Sequence, residues 1–507
     1  MPKLQKLKIS RLASSPRKRA AILAVAIFAY SANALAGSKP VAPDVATPQR
    51  WVAVDKAVSS ESIENMSQWW KRLGDATLSS LIERSLKSSP TWRTAQAKVR
   101  ESRARRQLTV ANRWPSLAST GSAQNSNNGL PASSTSGATS SFLSPSSSAS
   151  AGSYYYGNQL SWDPDLSSAK RKATRAADAA YQATQSDLRN TQVSLAAEVA
   201  LDYLQLRSYE VRLGIARRNE ASQSEILQLV EWRNQAGLAS SVEVEQARAN
   251  REQTRAQIPA LESSLGQAQH TLELLVGVEP GSLTAELARS STIPSPPDEL
   301  AIGIPADALR QRPDVRAAEQ RVAEQNALVA QQRAARYSTV SLSASLGWQA
   351  LSGVLTGGAS TLRSLTSGFT QTVYDGGRIR QNVAIQNALQ DQAVVNYESA
   401  VLKALKEVEN AILAFAKSGE RLAALSTATE AARNAAQLAQ NRYAAGLVDF
   451  QTVLDTERTA LNLEDSVATT QADRTTAVVQ LYQAMGGGWS EQLAGSATGK
   501  GTQHEQR

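Results

Sequence analysis

The chain has 507 residues, 42% apolar and 20% charged, with no cysteine and a formal charge of +9; this exceeds one ordinary domain, so several domains or one elongated architecture is expected. Seven of its 54 basic residues fall within residues 1–36, which hold no acid, and the other 47 face 45 acids, so nucleic-acid binding loses its compositional support. The missing cysteine excludes disulfides and a lipid-modified N-terminal cysteine.

Residues 1–36 read as a cleaved secretory signal: a basic lead, an apolar run from Ala20 to Tyr30, and Ala34-Leu35-Ala36 as a small-x-small cleavage site before Gly37. No later segment is apolar enough for a membrane helix. Residues 37–68 are expected to be irregular. A first repeat, 69–286, opens with Trp69-Trp70-Lys71-Arg72-Leu73-Gly74-Asp75, followed by Leu78, Leu81, Ile82 and Leu86 at helical spacing. A helix restarted at Pro90 runs to about Arg113. Then come a poorly patterned strand at 115–123, a Ser-rich loop at 124–153 and a strand at 154–162. From 165 to 235 there is no proline and one glycine, Gly214, so one helix of about 105 Å is expected at ~1.5 Å per residue. Ala236-Gly237-Leu238 breaks it, and a helix over 240–277 follows with Pro259 as an expected kink.

After a proline-rich connector at 287–305 the order repeats over 306–488. Pro90, Val99 and Arg113 match Pro313, Val322 and Arg336 at one offset, while Arg233, Ala236-Gly237-Leu238 and Gly277 match Arg442, Ala445-Gly446-Leu447 and Gly486 at another. The second repeat predicts a helix, a strand at 337–348, a loop at 349–367, a strand at 368–375, a long helix at 378–445 and a helix at 449–486. Residues 489–507 form a polar tail.

The junction near Arg336 is informative, because the period changes from near 3.6 to 2 without a proline or glycine pause. Val340, Leu342, Ala344, Leu346 and Trp348 then share one face, and Ser341, Ser343, Ser345 and Gly347 the other. That pattern suits a transmembrane barrel strand with lipid outside and water inside, with Tyr154, Trp162, Trp348 and Tyr374 at strand ends as girdle aromatics. Four strands cannot close a barrel, and no open sheet edge survives in lipid, so either about three copies each contribute four strands or the strands form an ordinary soluble sheet; the first is the favoured reading. The alanine-rich long helices suit a wall of close-packed helices wetted on one side. The expected fold is therefore mainly α with a small β part: two tandem repeats whose long helices form an α-helical barrel and whose four strands contribute to a membrane β-barrel.

With these residues in view, the chain resembles the TolC-like outer-membrane factors, in the branch serving resistance-nodulation-division efflux pumps. The matching pieces are Trp69-Trp70-x-x-Leu73-x-Asp75-x-x-Leu78, Ile304-Pro305-Ala306-Asp307 through Arg312-Pro313-Asp314-Val315-Arg316, Tyr374-Asp375-Gly376-Gly377-Arg378, and Arg442-Tyr443-x-Ala445-Gly446-Leu447. The resemblance implies a homotrimer with a twelve-stranded barrel in the outer membrane of a Gram-negative bacterium and a twelve-helix tunnel in the periplasm. It also implies a periplasmic adaptor and an inner-membrane pump as partners, outer-membrane lipid around the barrel, and no cofactor or metal. Without cysteine, the barrel is the expected membrane anchor. An exit channel for type I protein secretion and a pore-less periplasmic coiled-coil protein are the competing readings.

A conduit needs no catalytic residues, and only His270 and His504 are present. Two places are expected to matter. The helix breaks, with Gly237, Leu238, Gly446 and Leu447, read as glycine-capped turns, and the resemblance adds adaptor docking. The acids just past the breaks, Glu243 and Glu245 after the first and Asp449 and Asp455 after the second, would become rings in an oligomer and narrow a pore to a cation-attracting aperture; Asp455 matches one of two acids common in the family, and Thr452 stands at the other. Their alternative role is that of acids favoured in a helix's first turn. Val340, Leu342, Leu346 and Trp348 are the expected lipid-facing set.

Overall fold

The computed structural model describes residues 51, 66–126, 151–288, 292–296, 312–352 and 359–489. The expected signal, most of the segment before Met66, most of the Ser-rich loop, the Ile304–Asp307 block and the tail beyond 489 lie outside the described residues. All of the described residues belong to the unit Asp44–Arg507.

A short 3-10 helix, Trp69–Leu73, leads into α1 (Ala76–Ser88) and α2 (Pro90–Ala111), then strands β1 (Ser116–Ser126) and β2 (Ala151–Trp162). The long helix α3 (Ala169–Gln235) follows, then α4 (Ser241–Val276) and the four-residue α5 (Thr284–Leu287). The second half is α6 (Pro313–Ala334), β3 (Thr339–Ser352), β4 (Ala359–Thr370), α7 (Arg378–Ala444) and α8 (Phe450–Ala484). Both α3 and α7 have 67 residues, about 100 Å of helix at ~1.5 Å per residue. Proline-free stretches of Ala, Gln, Arg, Glu and Leu sustain such lengths by propensity. α4 continues through Pro259. Among the described residues no helix is long and apolar enough to cross a membrane.

The long helices begin alike, on an aspartate just past a strand. Asp165 accepts from the backbone amides of Lys170 (3.1 Å) and Arg171 (2.9 Å). Asp375 accepts from Gly377 (2.9 Å) and Ile379 (2.7 Å). Each carboxylate satisfies amide donors that a helix start leaves without partners.

The principal core gathers where the middle of α3 meets α1, the last turns of α4 and α8, and the middle of α7. Trp69, Trp70, Leu78, Leu81, Ile82, Tyr203, Leu204 and Tyr482 are all at most 2% exposed there. Full burial of each such side chain contributes ~1.5–3 kcal/mol. The Trp69 ring stacks on Tyr482 at 5.5 Å and meets Trp70 edge-on at 5.8 Å. Asp75 caps α1 through the Leu78 amide (3.0 Å) and accepts the Tyr203 hydroxyl (2.6 Å). Tyr203 in turn accepts from fully buried Arg207 (3.0 Å), which also donates to Glu210 (2.6 Å) and the Leu287 carbonyl (2.9 Å). This network explains why aromatic and acidic residues stand together between 69 and 75. Arg312-Pro313-Asp314 has a similar account. Pro313 opens α6, and the Arg312 guanidinium binds the Ala484 carbonyl at the end of α8 (2.6 Å), Asp314 (2.7 Å) and Glu407 (2.8 Å).

The four strands form one antiparallel sheet in the order β1-β2-β3-β4, leaving β1 and β4 as open edges within the chain. Its register sorts most residues by polarity, because directly opposed residues share a face; Ser119, Asn158, Thr361, Arg363 and Ser367 are polar members of the mainly apolar face, and Leu362 is an apolar member of the other. One face carries Leu117, Gly121 and Ala123 from β1; Tyr154, Tyr156, Leu160 and Trp162 from β2; Val340, Leu342, Ala344, Leu346 and Trp348 from β3; and Leu365 and Phe369 from β4. The other carries Ser116, Thr120, Ser122 and Gln124, then Tyr155, Gln159 and Ser161, then Ser341, Ser343 and Ser345, then Ser364, Thr366 and Thr370. Ser345 and Ser364 exchange a hydroxyl hydrogen bond of 2.7 Å across this polar face. Gly157 and Gly347 are directly opposed there. A Cβ on Gly347 would lie 2.8 Å from the Tyr156 carbonyl oxygen and 2.9 Å from the Tyr155 ring. The glycines thus let the Tyr155 ring lie flat against the polar wall.

Two strand expectations need correction. The last strand is Ala359–Thr370, not 368–375, and the span 349–367 is largely strand rather than loop. Tyr374 lies beyond the sheet in the turn before α7, 90% exposed. The reason is visible in β4, where Leu362 faces the polar side and Arg363 the apolar side, opposite Leu346. Local alternation is spoiled, and pairing with β3 decides the strand instead. Likewise β1, whose pattern is weak around Leu117, is a regular strand because β2 offers a full-length partner from Ser116↔Ser161 to Ser126↔Ala151.

Candidate functional site

The two helix breaks are built identically. Gly237 (φ 71°) and Gly446 (φ 76°) occupy the left-handed conformation that glycine adopts without steric cost. Leu238 donates to the Arg233 carbonyl (2.8 Å) and Leu447 to the Arg442 carbonyl (2.9 Å), while Gly237 and Gly446 donate to Asn234 and Tyr443 (both 2.9 Å). That double bond pattern closes a helix C-terminus and usually packs the following apolar residue back onto the last turn. Here neither leucine is covered: Leu238 is 68% and Leu447 73% exposed. With Trp232 and Val242, also exposed, they make an apolar surface at the tips of the hairpins α3–α4 and α7–α8.

Of the four acids expected near an aperture, two are occupied with caps. Ser240 and Glu243 form a reciprocal capping box at the start of α4. Asp449 caps α8 by accepting from the amide (3.0 Å) and hydroxyl (2.5 Å) of Thr452. Those hydrogen bonds, the Thr452 hydroxyl first, hold the Asp449 carboxyl below the usual range. Glu245 is exposed and bound to Arg248 (2.7 Å). Asp455 is exposed on the first turns of α8 and, among the described residues, its carboxylate accepts only the Gln451 side-chain amide (3.0 Å). It is the least committed of the four to the chain's own structure.

Glu243 has a second partner that ties the hairpins together. The Tyr443 hydroxyl, from the last turn of α7, donates to its carboxylate at 2.9 Å. Arg233, from the last turn of α3, donates to the carbonyls of Tyr443 (2.7 Å) and Ala444 (3.2 Å) and lies 4.6 Å over the Tyr443 ring. Burial alone would push the Glu243 carboxyl up, but the Ser240 amide and hydroxyl, the Tyr443 phenol and Arg233 outweigh it and hold it below the usual carboxylate range. Tyr443 is pushed up to about 12, by burial first and then by the neighbouring Glu243. Beneath the clasp, Leu227, Val230, Ala247, Ala439, Phe450, Val453 and Leu454 form a small core of their own. Arg233 and Tyr443 are thus structural members of the site; sequence reading placed the first only in the repeat and the second only in the motif shared with the family.

Away from the tips, the expected lipid-facing residues Val340, Leu342, Leu346 and Trp348 share the apolar sheet face, and Trp348 stacks on Tyr156 across the β2–β3 pair at 6.3 Å. On α7, Val395, Leu402, Leu413 and Leu438 are 51–61% exposed. Their spacings are near whole numbers of 3.6-residue turns, so they lie along one line of the helix, with exposed Lys406 and Glu420 on the same line between them.

Residues 81–278 and 304–487 match the family described as outer membrane efflux protein. The toluene efflux pump outer membrane protein TtgF of Pseudomonas putida is 32% identical over 350 residues, 68% of this chain and 72% of the relative. The pyoverdine export outer membrane protein OpmQ of Pseudomonas aeruginosa is 30% identical over 474 residues, 91% of this chain and 96% of the relative. Among solved structures, the outer-membrane channel OprN superposes with a TM-score of 0.74 at 33% identity, covering 89% of this chain and 99% of that one.

Proposed function

Because the chain belongs to the outer membrane efflux protein family, we propose that it is the exit duct of a tripartite efflux pump, exporting small molecules such as drugs or toxic organic compounds. It is a protein of the Gram-negative outer membrane with the fold of the TolC-like channels. The observation that carries the duct is the sheet. Its faces are sorted into apolar and polar, its edges β1 and β4 are open, and it is attached to helices of about 100 Å.

Open edges in lipid must be paired, and among the described strands β1 of another copy is the partner that continues the antiparallel order past β4. Three copies supply twelve strands, enough for a closed barrel, whereas one supplies half of the smallest. The uncovered stripe of Val395, Leu402, Leu413 and Leu438 on α7 supports the same side-by-side assembly along the helices. The polar sheet face then lines the lumen, and the tips around Leu238 and Leu447 point into the periplasm. Their uncovered leucines supply an apolar anchor for an adaptor that connects the duct to an inner-membrane pump. Asp455, exposed and nearly unbonded, is the aperture acid these contacts favour over Glu243 and Asp449. The relatives named for toluene and pyoverdine export favour small cargo over the secreted proteins of a type I system.

Reconstitution in planar bilayers tests the duct: stepwise conductance is expected, and a silent bilayer with correctly assembled protein sinks the proposal. Asp455→Ala should raise single-channel conductance and lessen block by multivalent cations, and no change in either removes Asp455 from the aperture. Gly446→Trp should lower adaptor crosslinking and drug resistance together; unchanged values in both reject docking at this turn.

A further inference from the structure

One charge stands in the membrane part of the chain. Residues 114–162 contain no Asp, Glu, Lys, Arg or His, and residues 337–374 contain one, Arg363. Arg363 is exposed, and the register puts it on the apolar face of β4, opposite Leu346. Among the described residues it has neither an ion pair nor a side-chain hydrogen bond. Oligomerisation cannot supply a counter-charge from the barrel, since every strand a neighbour contributes is one of the same four, and none holds an acid. The loops joining them, 127–150 and 353–358, hold none either.

Its level in the sheet is equally specific. The Asn158–Leu346–Arg363 row lies one step below the Tyr156–Trp348–Thr361 row, on the side of the sheet away from the loops. One step is two residues, about 6.6 Å along the strand, within the reach of an extended arginine that carries its charge toward the interface. The Tyr156–Trp348 stack marks that interface as an aromatic girdle. The helices leave the opposite end of the sheet, so this girdle belongs to the outer leaflet. Further along the same row, Ser119 donates to the Asn158 side-chain oxygen, and the Asn158 amide keeps hydrogens to donate.

We propose that Arg363 binds the phosphate of an outer-leaflet glycolipid headgroup, with Asn158 and Ser119 offering neutral polar contacts on the same row. This rests on the barrel reading above and adds a lipid partner to it. A guanidinium suits phosphate because its planar fork donates two parallel hydrogen bonds.

The assembled full-length protein would be titrated with bisphosphorylated lipid A and followed by native mass spectrometry, with Arg363→Gln and Arg363→Lys beside it. Arg363→Gln should weaken retention roughly tenfold or more and Arg363→Lys less, the lysine keeping charge but losing the fork. Dephosphorylated lipid A should bind the unaltered protein no better than lipid A binds Arg363→Gln. Equal retention by Arg363→Gln, or equal binding of the dephosphorylated lipid, overturns the proposal. Full displacement by millimolar inorganic phosphate overturns the lipid assignment in favour of a free-anion site. Bilayer conductance of the same samples separates the two readings: a conducting Arg363→Gln that no longer retains lipid A supports the site, and a silent unaltered protein removes the barrel beneath it. Should Arg363→Gln fail to assemble, Arg363→Lys and the dephosphorylated lipid still decide.

Discussion

Removing the Arg233 side chain should loosen the hairpin tips without touching the rest of the fold. Its guanidinium holds two carbonyls in the last turn of α7, at 2.7 and 3.2 Å, and covers the Tyr443 ring. Hydrogen bonds from a charged donor contribute ~1.5–3 kcal/mol, and a partly exposed cation–π contact ~0.5–1 kcal/mol. These terms overlap, so Arg233→Ala should cost the tip about 2–3 kcal/mol of local stability. At ~1.4 kcal/mol per decade that multiplies the opened population roughly 30- to 150-fold. Native-state hydrogen exchange of the assembled protein reads this directly as lost protection from Tyr443 to Thr456. Arg233→Lys should fall between, since it keeps charge without the fork. Tyr443→Phe, which loses only the bond to Glu243, should do less than Arg233→Ala. Unaltered exchange in Arg233→Ala, or loss of protection beginning in the principal core instead of the tip, would refute the clasp.

Protonation should open the same clasp from the acid side. The Glu243 carboxyl is held low, so its contribution is complete above the ordinary glutamate pKa of ~4.3 and vanishes as pH falls through the lower folded value. Tyr443 is shifted up to about 12, so its contribution is lost only as pH rises through that value; limited proteolysis at the tips across pH checks both limbs. Gly347→Ala should sharply lower the yield of assembled, detergent-resistant barrel, because its Cβ would meet the Tyr156 carbonyl at 2.8 Å, whereas Gly121→Ala, whose nearest neighbour is 3.7 Å away, should assemble normally. Arg207→Met should cost ~3–5 kcal/mol, since it leaves Glu210 and the Leu287 carbonyl without their buried cation; an unchanged denaturation midpoint would contradict that account.

The long helices were legible because nothing in 169–235 or 378–444 opposes them: no proline, one glycine each, and good helix formers throughout. β3 was legible because Val340 to Trp348 alternates without a fault. β4 was misplaced because Leu362 and Arg363 break the alternation, and only the register with β3 reveals which face each occupies. At the tips, both glycine turns could be read from the repeated Ala-Gly-Leu. The clasp could not, since Arg233 and Tyr443 stand 210 residues apart on different repeats. Nor could the capping bonds of Glu243 and Asp449, because an acid after a turn reads equally as a cap and as a pore ring until its hydrogen bonds are seen.

The serines, threonines and glutamines of the polar sheet face have a consequence for what leaves the duct. The side chains described on that face carry no formal charge. A wall of this kind behaves like a neutral chromatographic support: it wets, sieves by size, and retards neither anions nor cations. On the duct reading proposed above, the barrel wall therefore offers cargo no fixed charge, and any sorting by charge falls to the helical part and its tips.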